Sequence, residues 1–343
     1  MSTSEAVLLQ ASESFSVTRR RRALKRLIRD RTAVAGFTII IVVAAACILA
    51  PVLATRDPIV TDFSNRFAPP SRAHLLGTDN VGRDVFARIL HGGRLSLGMA
   101  VSATAGITVV GLFLGLVAGV YGRLAETVIM RVVDVLLAMP TLIFALVIVG
   151  LLGQGLRNLI ITIILVQWPR YARLVRGMAL RIREQEFVEA ARAVGATRLR
   201  IMTRHIAPNL VGPVVVFSTI DMGTTLLVVS GLSFLGFGVG PPTAEWGAML
   251  AEARSFLDRS PELLAWPGLA ITVMVLAFNL AGDGLRDLLD PRTVESTPGL
   301  ERRRRRRQRR GQRRSAQPVG TDRPGDGGVA EAPGEQLATR TGV

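Results

Sequence analysis

Uncharged apolar runs of about 20 residues, the length a helix needs to cross the hydrocarbon of a bilayer, recur at 33–54, 95–121, 135–156 and 263–282. Runs of that length commit most of the chain to lipid. Two more spans are expected on weaker grounds. The run 158–176 begins with Asn158-Leu159-Ile160-Ile161 and ends among Arg170, Arg173 and Arg176, whose long side chains can reach the interface. The run 209–235 carries Asp221. The expectation is an all-α integral membrane protein with six transmembrane helices. A hydrophobic content of 49% excludes an ordinary soluble enzyme.

Charge decides the expected orientation, because Lys and Arg in short loops are retained on the cytoplasmic side. With the N-terminus inside, segments 18–32, 122–134, 170–208 and 283–314 hold 31 basic residues, against 9 in segments 55–94, 153–158 and 236–262. Both termini are thereby expected in the cytoplasm. The first apolar run follows 32 polar, basic residues and continues past Cys47, which reads as a retained anchor rather than a cleaved signal or a lipoprotein cysteine. Four regions follow: a basic segment 1–32, a first helix and outer loop 33–94, a five-helix core 95–292, and a tail 293–343.

Catalytic chemistry finds little support. One cysteine, Cys47, allows no intrachain disulfide, and His74, His91 and His205 have no zinc-site spacing. Lys25 is the sole lysine and follows no glycine-rich loop, whereas a phosphate-binding Walker A loop needs a terminal lysine. No cofactor is expected in this chain, so any ATP and Mg would be used by another subunit.

Between the fourth and fifth runs lies a polar segment, 184–208. Phe187, Ala190, Ala191 and Val194 recur at helical spacing, giving an apolar stripe that the two alanines keep thin enough for a partner to approach. Gly195 suits a left-handed helix cap, Thr197 can cap a second helix, and Pro208 is expected to end it. Glu189, Ala190, Ala191, Gly195 and Pro208 resemble the Glu-Ala-Ala loop of ABC-importer permeases, whose helix couples to the ATPases. Ala207 departs from that pattern, which more often has leucine there.

The resemblance extends along the chain. Leu76-Gly77-Thr78-Asp79 through Gly82-Arg83-Asp84, then Gly92-Gly93-Arg94-Leu95-Ser96-Leu97, is similar to the outer loop of the C-type permease subunit of dipeptide, oligopeptide and nickel importers. Gly77 and Gly82 permit tight turns there, and Asp79, Arg83 and Asp84 can close an ion-pair network that folds the loop. Met130-Arg131-Val132-Val133-Asp134, Trp168-Pro169-Arg170, Leu232 to Gly238 with Pro241-Pro242, and Asn279 to Arg292 continue the family's order. The resemblance implies a permease that pairs with a homologous permease, two cytoplasmic ABC ATPases and an extracytoplasmic solute-binding protein, importing dipeptides, oligopeptides or, on the same scaffold, nickel.

Other residues have plainer expectations. Arg131 and Asp134, three apart, are expected to pair with each other. Trp246 and Trp266 read as interfacial anchors, and Gly231 to Pro242 as a helix exit and turn. Asp221 either lines a path or seals a helix contact, since an ionised group at that depth needs a partner or water. An ion-driven carrier would be expected to show several such carboxylates. The arginine block 302–314 lies in a tail without apolar periodicity, read as disordered and directed at membrane lipid rather than nucleic acid.

Overall fold

The computed structural model describes residues 30–289, and within them the chain is helical throughout apart from loops and one isolated bridge between Thr78 and Asp84. Nine helices of eight residues or more are found among these residues: α1 Arg31–Ile48, α2 Val85–Tyr121, α3 Arg123–Ala138, α4 Thr141–Leu152, α5 Leu156–Arg183, α6 Glu186–Ala193, α7 Ala207–Phe234, α8 Trp246–Ala253 and α9 Glu262–Leu289.

The central element is α2. Its 37 residues span about 55 Å at 1.5 Å per residue, and it packs against α1, α5 and α7. The contact with α5 is set by small residues one turn apart. A Cβ at Gly111 would lie 2.2 Å from the Cβ of Tyr171, one at Gly115 2.6 Å from the Ala172 carbonyl, and one at Gly119 2.7 Å from the Cβ of Ala179. The three glycines let two helix backbones meet directly, the small-xxx-small device of helix packing in lipid. On the N-terminal side of this seam in α2, Met99, Ala103, Ile107, Leu159, Ile163, Val229 and Leu232 form the largest apolar core among the described residues. On the opposite flank α9 holds α1 through Gly36 and Gly284, and holds α7 through Gly282 against Ile220.

The expected six runs map onto this fold with one break. Among the described residues, four helical stretches are long and apolar enough to cross a membrane: Arg31–Ile48, Val85–Tyr121, Arg198–Phe234 and Glu262–Asp287. The run 135–156 is not one helix. It is divided at Met139-Pro140, where α3 and α4 bend by 98°, a broken span or a re-entrant loop. Proline disfavours helical geometry in the residue before it, and Met139 is accordingly extended at φ −86°, ψ 139°. The 12 residues of α4 reach about 18 Å, short of the ~30 Å hydrocarbon core. The helix α5 has the length to cross, but Arg170, Arg173, Arg176, Arg181 and Arg183 keep it outside the apolar set.

At most half of each apolar span is buried within the chain. The remainder, including Ile41, Val109, Phe113, Val147 and Leu276, faces outward and has to meet lipid or another subunit.

Candidate functional site

The loop between α5 and α7 forms a helical hairpin. Its first arm is α6, and it turns at Gly195, where φ is +82°. Ala196 N–H donates to the Ala191 carbonyl (3.0 Å) and Gly195 N–H to that of Arg192 (2.9 Å), a Schellman closure. An added Cβ on Gly195 would meet nothing within 4 Å. Glycine is therefore required by backbone geometry and not by packing. Thr197 then caps Arg198–Ile201 by accepting from Arg200 N–H.

Two expectations about this loop are corrected. Pro208 does not end a helix. Arg198–Ile201 runs through a wide turn, Met202–Ile206, directly into α7, with Pro208 in the first turn of α7. A proline clashes with the carbonyl four residues before it and has no N–H to give, and the wider i→i+5 turn before it, closed by Ala207 N–H on the Met202 carbonyl, relieves both problems. The apolar stripe is also split. Val188 and Ala191 face inward, while Phe187, Ala190 and Val194 are exposed. Val188, Ile201 and Ile206 join Leu116, Val120, Val175 and Leu210 in one core, fixing the hairpin to the ends of α2, α5 and α7. Glu189 and Ala190 remain on the open face.

Arginines complete the attachment. Arg183 Nη1 donates to the Gly119 carbonyl (3.1 Å) and Arg198 Nη1 to that of Tyr121 (3.0 Å). These satisfy carbonyls that the end of α2 leaves without helical partners, with positive charge where the helix dipole is negative.

At the other end of the molecule, charge is buried. Asp79 accepts from the backbone N–H of Val81 and Arg83 and from Arg83 Nε at 2.6 Å. Arg83 and Arg88 both donate to Glu252 Oε2, at 2.5 and 3.0 Å. Arg88 is 1% exposed. Four charges thus bind the loop 54–84, the start of α2 and α8 into one cap. Asp84 lies outside this set. It caps α2 through Ala87 N–H (2.8 Å) and contacts His74 Nδ1 (2.9 Å). Gly82, at φ +81°, sits so close to Asp62 that a Cβ would lie 1.8 Å from its carbonyl oxygen. The amide of Asn65, donating to the Asp62 side chain, holds that carboxyl below its ordinary pKa.

Sequence reasoning missed the inner half of the cap. Glu245 is fully buried, caps α8 through Gly247 and Ala248 N–H, and accepts from Ser96 Oγ at 2.8 Å. Trp246, expected as an interfacial anchor, is 1% exposed and donates from Nε1 to the Ile89 carbonyl. Its ring lies over Gly93, where a Cβ would come within 2.5 Å of it. The signal available was Gly92-Gly93 beside Ser96, a gap in a helix face into which a ring can fit. Trp266 is partly buried against Val85, Ala253 and Leu263.

The ion pairs of α5 differ from expectation. Asp134 pairs with Arg173 across helices at 2.5 Å instead of with Arg131, and Arg176 Nε donates to Glu126 at 2.9 Å. Both tie α3 to α5. Asp221 is 5% exposed and accepts from Arg170 Nη2 at 2.5 Å, joining α7 to α5. Gly231 to Pro242 is a helix exit: Gly236, at φ +94°, and Phe237 N–H to the Leu232 carbonyl close the end of α7.

The fold is a helical bundle with a polar hairpin anchored at one end and a charged cap at the other, the architecture of a membrane subunit. Residues 111–295 match the family of binding-protein-dependent transport system inner membrane components, and residues 18–70 match the N-terminal TM domain of oligopeptide transport permease C. The chain belongs to this family of ABC-importer permeases, in its C-type branch. It is 42% identical to the dipeptide transport system permease protein DppC of Alkalihalophilus pseudofirmus over 79% of this chain and 90% of that protein. It is 43% identical to the nickel transport system permease protein NikC of Escherichia coli over 69% and 86% respectively. Among solved structures, an inward-facing form of the MetNI methionine ABC transporter shares the fold, with a TM-score of 0.51 and 19% identity over 60% of this chain and 98% of that one.

Proposed function

We propose that this chain is the C-type permease of a peptide importer. It forms the translocation path with a homologous permease, receives dipeptides or oligopeptides from an extracytoplasmic binding protein, and is driven by two cytoplasmic ATPases that use ATP and Mg. The chain itself carries no energy-yielding chemistry. The similarity to DppC over nine-tenths of that protein's length carries the solute class.

Both termini and the hairpin 184–208 lie in the cytoplasm in this reading. Glu189 and Ala190 present the open face of α6 to an ATPase, while Val188 and Ala191 hold α6 to the bundle. Gly195 keeps the two arms of the hairpin at a fixed angle, so a push on α6 is passed to α5 and α7 rather than absorbed by the turn. ATPase closure then biases the bundle between two access states. Asp221 acts as a contact between these two helices, which its pairing with Arg170 supports. That pairing also weighs against an ion-driven carrier, whose carboxylate must be free to take up its ion. Asp79, Arg83 and Asp84 shape the outer cap and do not touch solute.

The test is uptake by the reconstituted complex. Labelled dipeptide should accumulate in proteoliposomes in a manner requiring ATP and the binding protein. The nickel relative supports a second solute, so nickel uptake is measured in parallel. Nickel transport without peptide transport would reassign the solute and leave the permease class in place.

A further inference from the structure

Between the end of α2 and the hairpin lies a cleft of about 430 Å³, and three arginines line it: Arg183, Arg192 and Arg198. No carboxylate among the described residues does. Three guanidinium groups around one cavity repel one another unless an anion joins them. Two of them are held in place, since Arg183 and Arg198 each donate one N–H to a carbonyl of α2, which leaves further donors of each fork free. The Arg192 guanidinium has no hydrogen-bond or ion-pair partner among the described residues.

Val120, Ala196 and Ile201 add apolar surface to the lining of the same cleft. It lies where the uncharged run 95–121 stops, the depth at which an interface begins. A ligand that fits carries both a phosphate and apolar substance. We propose that this cleft binds the phosphate headgroup of an anionic phospholipid, with Arg192 closing on a phosphate already addressed by Arg183 and Arg198. Guanidinium forks match phosphate geometry in pairs of N–H bonds, and basic pockets between spans on the cytoplasmic side are a recurrent headgroup site. A free phosphate ion would use the arginines and leave the apolar surface empty. Bound lipid would brace the hairpin against α2, so that membrane composition tunes coupling.

This inference rests on the permease reading only in placing a bilayer at the end of α2. The experiment titrates the purified importer complex, and the permease pair alone, in detergent with short-chain phosphatidylglycerol, followed by native mass spectrometry. Saturable binding is expected, weakened about tenfold by Arg192→Gln, the loss of one charge-assisted contact, and weakened less by Arg192→Lys, which keeps the charge and loses the fork. Phosphatidylcholine of equal chain length should not bind. Equal binding by wild type and Arg192→Gln, or by the two lipids, overturns the proposal. Displacement of lipid by equimolar inorganic phosphate identifies a free-anion site instead. Loss of lipid when the ATPases are present identifies the cleft as part of a protein interface. Orientation plays no part in detergent, so an inverted topology would leave these results unchanged and appear only in thiol labelling.

Discussion

The charged cap and the helical hairpin are both loops between spans, yet they are held by opposite means. The cap buries its charges: Asp79, Arg83, Arg88 and Glu245 are each less than a tenth exposed, with Arg83 and Arg88 bonded to Glu252, Arg83 also to Asp79, and Glu245 to Ser96 and backbone N–H groups. The hairpin buries almost no charge. It is fixed by backbone hydrogen bonds around Gly195 and by Val188, Ala191, Ile201 and Ile206, leaving its polar side chains in water. A buried ion network tolerates no missing member, because each charge was desolvated in exchange for its partner. A turn held by its backbone leaves its side chains free to meet a partner. The cap is held by its side chains, and the hairpin by its backbone.

The largest effect should come from breaking the cap. Arg88→Met leaves Glu252 with one partner fewer and should destabilise the folded chain by about 3–5 kcal/mol, the cost of removing one partner from a buried pair. The double variant Arg88→Met/Glu252→Met should recover most of that loss, because it removes both charges together. Denaturant unfolding in detergent measures both, and equal stability of the two variants would show that charge pairing does not hold the cap.

In the hairpin the corresponding lesion is conformational. Gly195→Val places a β-branched residue at positive φ, a strain of about 1–2 kcal/mol, enough to shift the turn by roughly 5- to 30-fold. Insertion should survive, and ATP hydrolysis stimulated by loaded binding protein should fall by that order. Gly195→Asn should retain stimulation, since asparagine tolerates the left-handed region. Matching losses in both variants would point to the side chain rather than the backbone.

The two faces of α6 give a sharper division. Ala191→Arg should loosen the hairpin from the bundle and increase proteolysis within 184–208. Ala190→Arg should leave that loop protected while ATPase co-purification falls. Reversed outcomes would exchange the inner and outer faces assigned to these neighbours.

Topology separates the regions without disturbing either. Cysteines at exposed Ser64 and Thr243, with Cys47 replaced by alanine, should react with an impermeant reagent in intact cells, whereas one at Ala190 should not. Labelling at Ala190 from outside would invert the chain. The smallest effect is expected from the tail, which lies outside the described residues. A chain ending at Thr297 should support wild-type uptake, and loss at unchanged abundance would give the arginine block a part in transport.

Much of this was legible in the residues themselves. The apolar runs marked the helices, and Gly195 and Thr197 announced the hairpin because caps and turns are decided by a few neighbouring residues. Met139-Pro140 also carried its break locally, though an unbroken apolar composition concealed it. Gly111, Gly115 and Gly119 held a packing seam in plain spacing, but a spacing does not name the helix it meets. Pairing was less accessible still. Asp134 had Arg131 one turn away and chose Arg173, and Asp79 shares a guanidinium with Glu252, 173 residues further on. The sequence by itself determined most of the helices, the turn at Gly195 and the family, since these depend on local backbone chemistry and on residue order. The tertiary structure alone decided which face of α6 is open, that Trp246 and Glu245 are buried, and which charges neutralise which. Burial and ion pairing depend on distances between helices, and no local pattern contains them.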